Sequence, residues 1–355
     1  MKLLLAGYFG CGNLGDDAIL LGFVNSLSSK DYQVKVLCSN VEALMRNYGL
    51  TGVHRKEVGA INDAISECDA LVFPGGSIFQ DVTSTRSVAY YSKLATSAKK
   101  AGKKVIMLAQ GVGPLTGFFG KQLAASAFNA ADAVVVRDPS SVSVLKAIGY
   151  KGRPSVSADM AWLLPSPNVE EAQAFGIAGS KTVGISARPW GKDRNKQVIQ
   201  VFGELARLLT MNGYIPTFIE MDQAEDGPLI LEIAKTQGGK VPDMRNMNSP
   251  KNVQQRIARM EGIIAMRLHA GILAATVGVP PFMVSYDPKV NAFANAIGAP
   301  TPPNMQGLTA QRVFDGFVGY IKDRDRTSAS LLVRRAELAK EAMVNIEVLE
   351  STLRG

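Results

Sequence analysis

The chain has 355 residues, of which 46% are hydrophobic, and a formal net charge of +8. This length and composition predict a sizeable buried core and more than one domain. The first apolar run is only about five residues long, which excludes a signal peptide, and no apolar run reaches the roughly 18 residues that a membrane-spanning helix needs.

The three cysteines, Cys11, Cys38 and Cys68, are unevenly spaced in the first third of the chain. This spacing fits neither a disulfide framework nor a CxxC metal site, and it favours free thiols in a reducing cytoplasm. The basic residues are scattered, with no zinc finger, RNP-type motif or basic helix, which argues against a nucleic-acid partner. An anionic small molecule, the anionic face of a membrane, or solubility alone accounts for the positive charge.

In the first half of the chain, short β-branched runs alternate with longer helical patterns. The predicted strands are 2–6, 33–37, 70–73, 104–109 and 133–136. The predicted helices include 16–28, 86–100, 120–131 and 140–148. The strands are continuous apolar runs, which is typical of a parallel sheet that is covered on both faces.

The stretch LLPSPNVEEAQAFGIAGSK, at 163–181, contains Pro and Gly residues that predict a linker with a short helix. The alternation of strands and helices then resumes. The predicted strands are 182–187, 216–221, 262–267 and 281–286, and the predicted helices are 196–211, 252–260, 268–277 and 291–297. Two further helices are predicted after the Pro-rich segment 298–304. The last one, at about 328–353, carries an apolar stripe that other parts of the protein must cover.

This order of elements predicts an α/β fold with two doubly wound, Rossmann-like domains that face a cleft. The expected boundaries are 1–165 for the first domain, 166–181 for the linker, 182–300 for the second domain and 301–355 for the C-terminal helices. Whether those helices pack back on the first domain is left open. In such sheets ligands bind beyond the carboxyl ends of the strands, so polar residues just after strands are the candidate site residues.

The stretch GCGNLG, at 10–15, has the G-x-G-x-x-G spacing of a dinucleotide-binding loop. The acidic residue that would hold an NAD ribose is missing after the second strand. Asp16 and Asp17, in the first turn of the next helix, would repel a pyrophosphate. One interpretation is that the loop presents Asn13 and its two acids to sugar hydroxyls, and the alternative is a tight turn that acids cap.

Two more predicted strands end in glycine-rich loops. PGGSIFQD, at 74–81, contains Gly75, Gly76 and Gln80, and AQGVGP lies at 109–114. Three such loops along one sheet edge predict a rim that faces a ligand, although sharp turns after buried strands need glycine in any case.

Arg137 ends the strand AVVVRD, and its planar guanidinium suits a carboxylate or a phosphate. The alternative is a structural pair with Asp138 or with a helix C-terminus. Arg188 occupies the same place after the first strand of the second half. Trp190 follows it, and its ring could either stack on a sugar face or pack between the domains.

The stretch GIIAMRLHAGILAATVGVPPFMVSYDPK carries the strongest pattern. Arg267 ends its first strand and His269 falls in the first turn of the next helix. Tyr286 and Lys289 follow its second strand. An isolated histidine is more often structural, but this one lies at a strand end of the predicted cleft. We therefore expect His269 and Lys289 to converge with Arg137 on one anionic ligand.

Six motifs occur in a characteristic order along nearly the whole chain. They are GYFGCGNLGDDAIL, FPGGSIFQDVTSTRSVAYY, VIMLAQGVGP, VVVRDPSSVSVL, GISARPW and RLHAGILAATVGVPPFMVSYDPK. Together they resemble the motifs of the polysaccharide pyruvyl transferases, specifically the CsaB type. The resemblance implies a two-domain fold like that of the GT-B glycosyltransferases. It also implies transfer of pyruvate from phosphoenolpyruvate to a sugar as a ketal. That reaction does not demand a metal, the sequence offers no cluster of His, Cys and carboxylate ligands for one, and no cofactor is expected.

For CsaB-type members the resemblance further implies that the acceptor is N-acetylmannosamine of a lipid-linked cell-wall polymer precursor. It implies that the pyruvate is attached as a 4,6-ketal and that the modified polymer anchors surface-layer proteins. The functional arginine, histidine and lysine of the family match Arg137, His269 and Lys289. Cys11 departs from the aromatic or small residue expected in the first glycine loop. The substrate class implies a cytoplasmic protein. A peripheral contact with the inner face of the membrane is left open, through the apolar stretch GFFGK at 117–121. The alternative is that this stretch is an ordinary helix start.

A nucleotide-sugar-dependent glycosyltransferase of the GT-B fold is the main alternative, because it would use the same two-domain cleft. The glutamate pair of many retaining members does not occur between Glu204 and Glu261, but inverting members lack it as well. A protein that binds an anion or a glycan without catalysis is the third hypothesis.

Overall fold

The computed structural model describes residues 1–27, 31–81, 85–168, 170, 181–239 and 247–355. The chain divides into two compact units. Met1–Leu164 and Leu338–Gly355 form the first unit, and Pro165–Glu337 forms the second. Most of the predicted linker, at 169 and 171–180, lies outside the described residues. Within the described ranges, no helix combines the length and the apolar character needed to cross a bilayer.

The described part of the first unit contains an eight-stranded parallel sheet. Its strands are β1 (Lys2–Phe9), β2 (Gln33–Cys38), β3 (Thr51–His54), β4 (Ala70–Phe73), β5 (Gly76–Phe79), β6 (Lys104–Val112), β7 (Ala133–Val136) and β8 (Ser155–Val156). Their order is β3-β2-β1-β4-β6-β7-β8, with β5 paired to β6. The chain winds outward in both directions from β1 and β4, so the topological switch point, where such sheets bind ligands, lies between these two strands.

Helices connect the strands of the first unit. They are α1 (Leu14–Asn25), α2 (Val41–Tyr48), α3 (Val58–Glu67), α4 (Thr85–Lys100), α5 (Phe118–Ala130) and α6 (Pro139–Ala147), followed by a 3-10 turn at Met160–Leu163. All four residues of β4 are buried, as are five consecutive residues of β1. Burial on both sheet faces is the reason why these strands are continuous apolar runs in the sequence.

The described part of the second unit contains a four-stranded parallel sheet in the order β10-β9-β11-β12. The strands are β9 (Thr182–Ser186), β10 (Ile215–Phe218), β11 (Gly262–Ala265) and β12 (Pro281–Met283). The helices are α7 (Asn195–Met211), α8 (Gln223–Thr236), α9 (Pro250–Ile257), α10 (Leu268–Thr276), α11 (Pro288–Ala296), α12 (Ala310–Ile321) and α13 (Arg324–Arg354). The last helix starts among the residues of this unit.

The part of α13 from Leu338 onward belongs to the first unit. Asn345 on this part is fully buried and accepts a hydrogen bond of 2.9 Å from the backbone N–H of Ala109. Its amide nitrogen donates to the Ser157 hydroxyl at 2.8 Å. Ala109 has a φ of +44°, which is uncommon for a residue other than glycine. The end of α13 therefore holds an irregular part of β6 in place.

The predicted α/β class with Rossmann-like parallel sheets is confirmed, and each predicted strand is present. Three strands, β3, β5 and β8, and three helices, α2, α3 and α8, were not predicted. The strand predicted at 281–286 is shorter in the structure, where it ends at Met283. Ser28, at the end of the predicted helix 16–28, lies outside the described residues.

Candidate active site

The first glycine loop connects β1 to α1, and two of its side chains act on the backbone. Asn13 is the N-cap of α1, and its side-chain oxygen accepts hydrogen bonds from the N–H groups of Gly15 and Asp16. The Asp17 carboxylate is buried and accepts hydrogen bonds from the Gly10 N–H at 3.0 Å and the Tyr48 hydroxyl at 2.8 Å. These contacts give Asn13 a capping role and Asp17 a structural role, and the substrate contacts expected of both stay predictions.

Burial raises the pKa of Asp17 from 3.8 to about 6, although the hydrogen bonds from Gly10 and Tyr48 favour its charged form. The folded protein therefore binds a proton at Asp17 more tightly than the unfolded chain does. The resulting contribution to stability is fully present below pH 3.8 and is lost as the pH rises through about 6.

Asp17→Asn is expected to remove the fall in the free energy of unfolding that Asp17 contributes between pH 3.8 and about 6, which makes the slope against pH more positive. Asparagine keeps an acceptor for the Gly10 N–H but does not ionise. Urea unfolding at a series of pH values measures the slope, and Asp16→Asn, on the same turn but only half-buried, is the control. If the free energy of unfolding of Asp17→Asn changes with pH as steeply as that of the original protein, the pKa of Asp17 is not raised.

Asp16 lies beside the second glycine loop, at the switch point of the sheet. Gly75 and Gly76 have φ angles of +145° and +99°, which only glycine adopts readily. A Cβ atom on Gly76 would lie 3.2 Å from the Asp16 Oδ1 atom. The structure thus brings Asp16 and Gly76 together, while Gln80 lies half-buried just after β5.

Arg137 directly follows β7, and its side chain is 7% exposed. Its Nη1 atom donates to Asp159 at 2.7 Å and its Nη2 atom to the Ser77 hydroxyl at 2.6 Å. Asp138 lies farther away, at 4.0 Å from Nε, and caps α6 through the Ser141 N–H. The hydrogen-bonded partner of Arg137 is therefore Asp159, while Asp138, the partner in the sequence-based alternative, lies at the limit of ion-pair distance.

The guanidinium of Arg137 lies against the backbone of the third glycine loop. A Cβ atom on Gly111 would come within 2.7 Å of its nitrogen atoms, so this close approach requires glycine. A guanidinium has five N–H donors, and the two contacts above leave it able to bind an anion as well. We refer to Asp16, Gly75, Gly76, Ser77 and Arg137 as the first strand-end cluster.

In the second unit, Arg267 is 8% exposed and pairs with the fully buried Asp226 of α8. Its Nε atom lies 3.1 Å from Asp226 Oδ1, and its Nη2 atom lies 3.0 Å from Glu225 Oε2. Asp226 also accepts hydrogen bonds from the N–H groups of Met221 and Asp222. This geometry gives Arg267 a structural role, and its expected contact with substrate stays a prediction.

Two of the predicted residues of the second unit, Arg188 and Lys289, lie beside the aromatic ring of a third, Tyr286. Arg188 donates to the Tyr286 hydroxyl at 2.9 Å, and its Cζ atom lies 4.9 Å from the centre of the Tyr286 ring. The Lys289 ammonium lies 5.7 Å from the same centre and 3.8 Å from Asp287, which caps α11. Glu225 lies 3.7 Å from Arg188. We refer to Arg188, Glu225, Arg267, Tyr286 and Lys289 as the second strand-end cluster.

His269 is half-buried in the first turn of α10, two residues after Arg267. The helix begins directly after β11, so His269 lies at the carboxyl end of the sheet that also carries the second strand-end cluster. Trp190 lies under the guanidinium of Arg194, whose Cζ atom is 4.3 Å from its ring centre. The convergence of Arg137 with His269 and Lys289 across the two units stays a prediction.

Sequence reasoning missed several charged residues at or beside the carboxyl ends of the strands in the two units. Asp159 and Glu225 lie in segments that carry no motif, and Arg55 follows β3, which was not predicted. A signal for Arg55 did exist, since VHR at 53–55 ends in an arginine as VVVR at 134–137 does. Phe118 and Phe119 at the start of α5 are 69% and 74% exposed.

Solved structures of other proteins resemble this one over almost its whole length. HepE of Anabaena, in complex with UDP-glucose, has a TM-score of 0.66 at 12% sequence identity, with 99% of each chain covered. The UDP-GlcNAc 2-epimerase of Neisseria meningitidis, bound to UDP-GlcNAc, has a TM-score of 0.62 at 11% identity, with 99% of this chain and 100% of that chain covered. At such low identity the likeness shows the fold, and it agrees with the predicted GT-B-like class.

Among known sequences, the chain is similar to the amylovoran biosynthesis protein AmsJ of Erwinia amylovora. The two are 24% identical over 365 aligned positions, which cover 84% of this chain and 87% of AmsJ. The family model described as polysaccharide pyruvyl transferase matches residues 13–288, a range that includes Arg137, His269 and the loops of both strand-end clusters. A match over this much of the sequence shows that the chain belongs to the polysaccharide pyruvyl transferase family.

Proposed function

We propose that this protein transfers pyruvate from phosphoenolpyruvate to a saccharide as a ketal and releases phosphate. The observation that carries the proposal is the family match across residues 13–288, which includes every member of the two strand-end clusters except Lys289. The clusters supply the charges that such a donor needs. Phosphoenolpyruvate bears a carboxylate and a phosphate, and the first cluster offers Arg137 while the second offers Arg188 and Lys289.

The proposed reaction begins with protonation of the donor methylene carbon, which gives the central carbon oxocarbenium character. One sugar hydroxyl attacks this carbon and loses its proton. Phosphate then leaves with the bridging oxygen, and a second hydroxyl closes the ketal as its proton passes to the departing phosphate. One donor and one diol thus give one ketal and one phosphate.

The side chains divide this work according to their chemistry. His269 moves protons, because an imidazole can both accept and donate one near neutral pH. Lys289 and Arg188 stabilise the charge that develops on the departing phosphate, and Arg137 holds the donor carboxylate or phosphate in a fixed geometry. Asp16, at the switch point, binds acceptor hydroxyls.

For the acceptor, we propose N-acetylmannosamine of a lipid-linked cell-wall polymer precursor, modified as a 4,6-ketal. Support for this finer assignment comes from the resemblance of the six ordered motifs to the CsaB type. The test is incubation with phosphoenolpyruvate and a panel of acylated hexosamines, free and lipid-linked. Phosphate release and a mass gain of one pyruvate less one water support the proposal. Sugar transfer from a nucleotide sugar, with no reaction of phosphoenolpyruvate, would establish the glycosyltransferase alternative instead.

Lys289→Ala is expected to raise the KM for phosphoenolpyruvate by about ten- to hundredfold, the usual loss for one hydrogen bond to a charged group. Initial rates at varied donor and saturating acceptor measure this change. Lys322→Ala removes the same charge from an exposed position of the second unit and serves as the control. If KM and kcat of Lys289→Ala both equal those of the control, Lys289 does not contact the donor.

A further inference from the structure

Arg55 and five neighbouring polar or aromatic side chains take no part in the proposed reaction. They lie at the carboxyl ends of β1, β2 and β3 and on α4, and Arg55 directly follows β3. We refer to the group as the Arg55 cluster, and its other members are Tyr8, Cys11, Ser39, Tyr90 and Tyr91. The cluster lies in the first unit, on the side of the switch point opposite to Arg137.

Hydrogen bonds and aromatic rings hold the Arg55 guanidinium in one position. Its Nη1 atom lies 3.3 Å from the Cys11 sulfur, and its Nη2 atom donates to the Tyr91 hydroxyl at 3.3 Å. Its Cζ atom lies 5.5, 5.0 and 5.7 Å from the ring centres of Tyr8, Tyr90 and Tyr91, within the range of a cation–π interaction. The Tyr90 hydroxyl donates to the backbone carbonyl of Arg55 at 3.1 Å.

The groups that touch Arg55 carry no negative charge at neutral pH. Burial raises the pKa of the Cys11 thiol and of the Tyr90 phenol, so both stay protonated. Within the described ranges, no carboxylate lies within ion-pair distance of Arg55, whereas Arg137 and Arg267 each contact one directly. Among the described residues, Arg55 is thus a half-buried cation without a carboxylate counter-ion, and a bound anion would stabilise it.

The cluster is open to solvent on one side. Tyr8 is 41% exposed, although it lies on a strand whose neighbouring residues are buried. An exposed tyrosine ring next to a guanidinium offers a flat apolar face and a cation together. A saccharide that carries a phosphate group suits this combination, because its ring can lie on the aromatic face while the guanidinium binds the phosphate.

The spacing of the strands assigns this ligand to the acceptor rather than to the donor. β1 and β7 are three positions apart in the sheet, which corresponds to about 14 Å at about 4.8 Å per strand. Phosphoenolpyruvate is too small to reach both the Arg55 cluster near β1 and Arg137 after β7. Asp16 lies between them, since its carboxylate is beside Gly76 and also acts electrostatically on Cys11 and Tyr91.

We propose that Arg55, with Tyr8 as its exposed wall, binds the phosphate group through which the acceptor saccharide is carried, while Asp16 contacts the hydroxyls of that saccharide. This inference rests on the proposed function, because it assigns Arg55 to the second substrate of the same reaction. The phosphate can belong to a lipid-linked or a nucleotide-linked saccharide, and the binding experiment separates these sources.

The test is direct binding, measured by calorimetry without phosphoenolpyruvate. The probes are free N-acetylmannosamine, its 1-phosphate, UDP-N-acetylmannosamine and N-acetylmannosamine on a short-chain polyprenyl diphosphate. Arg55→Met is expected to raise the Kd of the phosphorylated probes by about tenfold or more and to leave free sugar unaffected. Arg46→Met, which removes an exposed arginine of α2 in the same unit, is the control. The phosphorylated probe that binds most tightly identifies the source of the phosphate.

Two further variants keep the inference testable if Arg55→Met fails to fold, which thermal unfolding reports. Arg55→Lys keeps the charge but loses the planar guanidinium and should weaken binding less. Tyr8→Leu changes only the exposed wall and should also weaken binding. The inference is overturned if no phosphorylated probe binds the original protein, if the variants bind these probes unchanged, or if they weaken phosphoenolpyruvate binding instead. Pyruvyl transfer is assayed separately, so failure of the proposed function is distinguishable from failure of this inference.

Discussion

Replacing His269 with alanine is expected to lower kcat by about two to four orders of magnitude, the usual contribution of a positioned acid or base. Alanine cannot carry the proton that the donor methylene carbon must gain. Because His269 is only half-buried, the folded state should persist in this variant. The measurement is kcat at saturating donor and acceptor, together with a thermal unfolding curve that shows the variant is folded.

His54 provides a matched control, since it is the other histidine of the chain. It lies at the end of β3, where its Nδ1 atom is 3.8 Å from an exposed carboxylate of Glu57. His54→Ala should therefore keep kcat near that of the original protein. A second readout follows the proton itself, because the reaction in D₂O places deuterium in the methyl group of the ketal. Deuterium incorporation by His269→Ala at the original rate would exclude His269 as the proton carrier.

The parts of the fold that the sequence predicted are those in which burial and periodicity coincide. β4 and β7 have the ends that the sequence predicts, because three or more of their four residues are buried. β3 was missed because none of its four residues is buried, so an edge strand of this kind has no apolar run to reveal it. Hydrophobic patterning indicates which residues are buried, so it detects a strand only where most residues of that strand are buried.

For the candidate site residues, the sequence predicted the features that depend on neighbouring residues but not those that depend on residues far along the chain. Glycine-rich loops and arginines after strands were found because the motif and the strand are adjacent in the sequence. Whether each charge is neutralised depends on residues far along the chain: the partner of Arg137 is 22 positions away and that of Arg267 is 41 positions away. Sequence reasoning therefore identified the charged groups but not which of them are available to a ligand.

The largest effect on stability is expected at the pair formed by Asp226 and Arg267. Asp226→Ala leaves a buried guanidinium without its main partner, which typically costs about 3–5 kcal/mol of the free energy of unfolding. Urea unfolding followed by circular dichroism measures the loss. Glu225→Ala is the matched control, because Glu225 also contacts Arg267 but its side chain is 47% exposed, and exposed pairs contribute at most about 1 kcal/mol.

A double variant separates the loss of a favourable contact from the penalty of an unpaired charge. Asp226→Leu combined with Arg267→Met removes both charges and should be more stable than Asp226→Ala alone, since replacing a buried ion pair by apolar groups is often neutral. Equal stability of the double variant and Asp226→Ala would contradict this account. Arg267 also sits at the N-cap of α10, two residues before His269, without a capping hydrogen bond of its own. The ion pair to α8 therefore fixes the start of the helix that carries His269, so the stable double variant should still lose kcat.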